Sequence, residues 1–95
     1  KALVLNEGRG QAGLAASERL LHQGIATEIV TSDIAVAADL DPTNRAAWYQ
    51  RLGERDCRFT AAHVVESVNA DAVVLRNVFD DRLSKREDID LIVDW

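Results

Sequence analysis

Ala2-Leu3-Val4-Leu5-Asn6-Glu7-Gly8-Arg9-Gly10-Gln11-Ala12-Gly13 is the stretch on which the fold turns. An apolar run over residues 2–5 leads into a glycine-rich segment, which is how a strand buried on both faces hands over to a helix in a parallel sheet. Gly8, Gly10 and Gly13 satisfy G-x-G-x-x-G in the context the pattern requires, after a strand and at a helix start. The first glycine permits a tight turn, the second lets a pyrophosphate approach the backbone, and the third lets helix pack on strand. Free amides at the helix start add a preference for an anion.

Outward from that turn, Gly13, Ala16, Ser17, Leu20 and Leu21 recur at helical spacing within residues 11–23, and Gly24 supplies the left-handed residue that ends a helix. Residues 25–31 carry the β-branched Ile29, Val30 and Thr31 and read as the second strand of a βαβ unit, parallel to the first with a right-handed crossover. Residues 34–40 read as loop or a short turn of helix. Asp41-Pro42 marks a second helix start, followed by an apolar face of Trp48, Tyr49 and Leu52 that ends at Gly53. A strand is expected over 57–61, then a hairpin in which 64–68 and 72–79 flank Asn69-Ala70-Asp71. A weaker strand follows at 83–88, inside a charged stretch, 80–90, that reads as a solvated hairpin tip. A last apolar strand, Leu91-Ile92-Val93-Asp94-Trp95, closes the chain. The order predicts one three-layer α/β domain over residues 1–95, a parallel sheet covered on one side by a small antiparallel meander.

The candidate cofactor-binding residues are Gly8, Arg9, Gly10 and Gly13 for a pyrophosphate, with Thr31, Ser32 and Asp33 where ribose contacts belong, at the end of the second strand. Two features depart from the usual fingerprint. Asn6 and Glu7 lengthen the loop by about two residues, and Thr31-Ser32 stand where an acidic residue holds ribose hydroxyls, with Asp33 just beyond. Glu7 also places negative charge where phosphates would sit, beside Arg9. Two readings stand at this turn: a retained dinucleotide site, or a structural relic of one.

His22 and His63 fall in different elements without neighbouring Cys or His, which leaves a metal site short of ligands. No grouping of Ser, His and Asp has catalytic context, so no catalytic residue is assigned. Trp48 and Tyr49 read as packing residues, and the single Cys57 as a buried thiol near a strand start. One cysteine allows no intrachain disulfide, which fits a cytoplasmic location. The net charge of −5 opposes binding to nucleic acid or anionic lipid. No apolar run approaches the roughly 20 residues that span a bilayer. The chain lacks an initiator Met, opens into a strand and closes on one, as expected of a domain cut from a longer polypeptide.

The stretches Ala2-Leu3-Val4-Leu5-Asn6-Glu7, Ala15-Ala16-Ser17-Glu18-Arg19-Leu20, Glu28-Ile29-Val30-Thr31 and Leu40-Asp41-Pro42-Thr43-Asn44-Arg45 resemble one family region. It is the C-terminal, nucleotide-binding-like domain of the trimethylamine dehydrogenase, histamine dehydrogenase and 2,4-dienoyl-CoA reductase family of NADH:flavin oxidoreductases. The resemblance covers the whole chain and implies a Rossmann-like domain similar to the NAD(P)-binding domain of glutathione reductase-type enzymes. It implies an accessory role, either structural docking or NAD(P)H binding, with no chemistry by the domain itself. FMN, FAD or ADP and a 4Fe-4S cluster would belong to the parent flavoprotein, outside this chain. Its partners would be the neighbouring flavin-type and TIM-barrel domains, with self-association through the interdomain face. The alternative from another class is a free-standing domain that senses a nucleotide or small anion at the glycine turn.

Overall fold

Four strands, β1 (Ala2–Leu5), β2 (Thr27–Val30), β3 (Arg58–Thr60) and β7 (Leu91–Asp94), form a parallel sheet in the order β3-β2-β1-β7. The structure is a computed structural model and describes residues 1–7 and 10–94. In the central pairings Val4 lies opposite Ile29 on one side and Val93 on the other, while Leu3 lies opposite Glu28 and Ile92. Both faces of β1 and β2 are buried, which is why these strands read as apolar runs without alternation. The strand order reverses at β1, so β1 and β7 flank the topological switch point.

Two helices cover one face. The first, α1 (Ala12–His22), buries Gly13, Leu14, Ser17 and Leu21. It ends in a Schellman arrangement: Gly24, at φ +80°, donates its amide to Leu21, and the Ile25 amide donates to Leu20. The second, α2 (Pro42–Gly53), begins as its sequence predicts, with the Asp41 carboxylate accepting the Asn44 amide at 3.0 Å and proline in the first turn. Between β2 and α2 the chain turns irregularly over 32–40 but buries Val36 and Ala37, so the segment is a packed wall of the core. Val4, Leu14, Leu21, Ile29, Trp48 and Leu52 form that helix-side core. Trp48 and Tyr49 are packing residues: Trp48 is buried, and Tyr49 stacks on Phe59 and donates its hydroxyl to the Val36 carbonyl. Across the helix surface Arg51 contacts both oxygens of Glu18 at 2.7 and 2.8 Å while lying over the Trp48 ring.

The opposite face carries an antiparallel meander of β4 (His63–Val68), β5 (Ala72–Asn77) and β6 (Leu83–Glu87), in that order. The chain leaves the parallel sheet through Ala62, a left-handed residue at φ +57° whose amide donates to Asp33 and whose carbonyl accepts from Val78. Leu3, Val30, Val73 and Leu75 fill the second core between the sheets. The expected α/β domain with a parallel sheet and a small meander is therefore the observed fold.

One expectation is corrected here. The charged stretch 80–90 is not simply a solvated tip, because Arg86 of β6 turns inward and its side chain is only 11% exposed. Its Nε and Nη2 donate to Glu28 at 2.8 and 3.1 Å, and the Thr60 hydroxyl donates to the same carboxylate at 2.5 Å. Glu28 is fully buried, so these bonds supply the compensation that a charge removed from water requires.

Candidate nucleotide cleft

The carboxyl ends of the parallel strands face one edge of the molecule, and open α/β sheets bind ligands there, at the switch point. A cleft of about 290 Å³ lies at this edge, lined by Leu5, Glu7, Val30, His63, Val64, Val65 and Asp94. It gathers the ends of β1, β2 and β7 together with the start of β4. Gly8 and Arg9, two of the sequence-predicted contacts, lie outside the described residues.

Gly10 stands just ahead of α1 at φ +84°, a conformation glycine adopts without steric cost, and a Cβ there would meet open space. Gly13 serves a different purpose. A Cβ on it would lie 2.3 Å from Oδ1 of the buried Asn6, so its missing side chain lets α1 sit against the end of β1. Asn6 itself continues the line of β1 by donating its amide to the Val30 carbonyl.

Among the described residues, the Gly10 amide and both Ser32 donors already have partners. The Gly10 amide donates to the Asp39 carboxylate at 2.7 Å. Ser32, at the tip of β2, donates its amide to one oxygen of Glu7 at 2.7 Å and its hydroxyl to the other at 2.5 Å. Thr31 is buried, with its hydroxyl accepting the Asp33 amide, while its own amide and carbonyl bond to Thr60 and His63. Asp33 is exposed and joins the edge through its carbonyl, which accepts from Ala62. The structure therefore brings Gly10, Ser32 and Glu7 to one edge and withdraws the Thr31 side chain from it.

These residues, as they stand, do not fit a dinucleotide. A phosphate oxygen at Gly10 would have to displace Asp39 or sit beside it, and two unit charges 4 Å apart repel by about 4 kcal/mol at the effective dielectric of a protein surface. Asp39 was missed from the sequence because it lies in the irregular segment before α2, and nothing in its local pattern aims it at a turn 29 residues earlier. Glu7 was singled out for its charge, but its bidentate grip on Ser32 depends on the register that places the ends of β1 and β2 side by side.

The larger hollow, about 570 Å³, lies at the amino ends of the parallel strands between the turn at 69–71 and residues 88–92. There the Asp90 amide donates to the Lys1 carbonyl at 2.8 Å. Among the described residues no group of His, Cys, Asp and Glu is placed to hold a metal ion. No described helix is long and apolar enough to cross a membrane. His22 is exposed and His63 is half-buried, with Nδ1 2.7 Å from the Ala61 carbonyl oxygen.

No protein-family model matches the chain, and no curated protein matches it in sequence. Solved structures do match. Histamine dehydrogenase from Rhizobium sp. 4-9 superposes with a TM-score of 0.81 at 20% identity, over 99% of this chain and 15% of its own. The 6-hydroxypseudooxynicotine amine oxidase HisD from Pseudomonas geniculata N1 gives 0.84 at 15% identity, over 97% and 14% respectively. NDH2 from Plasmodium falciparum, solved in complex with NADH, gives 0.79 at 9% identity, over 99% and 22%. The chain thus spans 15% or less of the first two proteins, and at such identities the likeness is one of fold, shared with dehydrogenases, oxidases and reductases.

Proposed function

We propose that the chain is an accessory, nucleotide-binding-type domain of a flavin-dependent oxidoreductase in the amine dehydrogenase and NADH:flavin oxidoreductase family, with a scaffold and docking role. The observation that carries the reading is the pairing of a dinucleotide-type sheet and glycine turn with donors that the chain's own carboxylates engage. The match to about one seventh of two amine-oxidising proteins supports a place inside a longer polypeptide. On this reading, flavin, cluster and substrate are handled by flanking flavin-type and barrel domains, and this domain contributes contact surface. Exposed Ile34 and Phe79, on segments joined through Ala62, supply apolar area for that contact.

Calorimetric titration of the 95-residue chain with NADH, NADPH and ADP tests the role. No saturable binding up to millimolar ligand is expected. Saturation centred on Gly10 would replace the scaffold role with that of a working electron-input domain. The parentage is tested at the gene: an upstream reading frame of several hundred residues encoding a barrel is expected, and a free-standing short gene would sink it.

A further inference from the structure

The disagreement between fold and cleft has a specific geometry. Two side chains reach the nucleotide edge from separate segments, and each ends on a donor suited to a phosphate oxygen. Asp39, from the irregular segment after β2, takes the Gly10 amide at 2.7 Å. Glu7, from the turn after β1, takes both the amide and the hydroxyl of Ser32. The first donor lies where a pyrophosphate meets the glycine turn, and the second lies at the β2 tip, which meets the adenosine ribose. A β2 tip that binds ribose hydroxyls presents an acceptor, whereas Ser32 presents two donors, the chemistry that suits the 2′-phosphate of an adenine dinucleotide phosphate.

We propose that Asp39 and Glu7 are built-in ligands that hold a latent NADPH-type site closed, each carboxylate standing in for one of the cofactor's phosphate groups. The proposal rests on the scaffold reading above and explains how a sheet of this kind is kept free of nucleotide. Both carboxylates belong to exposed residues, and their bonds go to backbone amides and one hydroxyl rather than to the core, so the site opens when they are removed and the fold remains. Glu7 also lines the cleft directly, beside Leu5 and Val30, where an entering ligand would meet its charge.

The test compares the wild-type chain with the double variants Glu7→Ala/Asp39→Ala and Glu7→Gln/Asp39→Asn. The second pair removes charge while keeping shape, in case the alanine pair fails to fold. Each is titrated with NADPH and NADH by calorimetry, with the Gly10 and Ser32 amides followed by NMR and folding checked by thermal melting. The wild type is expected to show no saturation at millimolar ligand. A folded double variant is expected to bind NADPH at least tenfold more tightly, and more tightly than NADH, with shifts at both amides. A folded variant that stays silent overturns the built-in-ligand proposal and leaves the scaffold reading intact. NADH bound as tightly as NADPH overturns the assignment of Ser32 to the 2′-phosphate. A wild type that binds as well as the variants overturns both the proposal and the scaffold reading.

Discussion

Gly13 and Cys57 show how much of this fold depends on single atoms. The Cβ of an alanine at position 13 would fall 2.3 Å from the Asn6 side chain, in a place closed by helix and strand. Gly13→Ala is therefore expected to destabilise the domain by about 1–3 kcal/mol, measured by urea unfolding. Trimming the obstacle in Gly13→Ala/Asn6→Ala should leave the loss smaller than the sum of the two single changes. The opposing possibility, that Gly13 serves only backbone freedom, predicts simple additivity. At Cys57, burial, helped by the negative field of Glu28, pushes the thiol up from 9.0 to about 11. The thiolate fraction at pH 8 is then lower by roughly a hundredfold than in the unfolded chain, and alkylation by iodoacetamide should be correspondingly slow until the domain is denatured. Because the folded value is raised, the stability this thiol contributes is complete below pH 9 and declines between about pH 9 and 11.

At the scale of elements, the contact of greatest consequence is the one between β2 and β6. Burial by itself would raise the Glu28 pKa, but hydrogen bonds from Arg86 and Thr60 and the charges of Arg86 and Arg58 outweigh it, and the net direction is downward from 4.5. A carboxylate held lower in the folded state stabilises the domain above its unfolded pKa, and that contribution is lost as pH falls below about 4.5 through the folded value. Acid unfolding should accordingly become less steep in Glu28→Gln. Arg86→Leu leaves Glu28 buried without its main partner and should cost about 3–5 kcal/mol, with partial recovery in Glu28→Gln/Arg86→Leu. A double-variant loss equal to the sum of the two single losses would show that the pair is not coupled. The sequence carries half of this contact: a lone carboxylate inside the apolar run Glu28-Ile29-Val30 has to find a cation if both faces are covered. It does not carry the other half, because Arg86 lies 58 residues away among charges with the same local look.

For the whole molecule, two cores on either side of one parallel sheet make β1 and β2 the centre of the structure, with β3 and β7 at its edges. Native-state hydrogen exchange should therefore protect Leu3, Val4, Ile29 and Val30 most, and the β6 amides less than those of β5, which is paired on both sides. Uniform protection across both sheets would instead mark a single cooperative unit. The same layering explains the edge at which ligand-like donors gather. Every parallel strand points its carboxyl end there, and the meander closes the side of the cleft through His63 to Val65. Strand register thus delivers Glu7 to Ser32, and the packed wall at 32–40 delivers Asp39 to Gly10.

Local chemistry alone determined the elements: apolar runs for buried strands, Asp41-Pro42 for the start of α2, Gly24 for the end of α1, and Gly10 at positive φ ahead of α1. Those signals live within a few residues, where backbone sterics and capping bonds act. The tertiary structure alone decided that Arg86 would neutralise Glu28, and that the Gly10 amide and the Ser32 donors would be taken by Asp39 and Glu7. Each of these joins residues 25 to 58 positions apart, and a hydrogen bond's dependence on distances near 3 Å is set by the packing of whole layers, not by spacing along the chain.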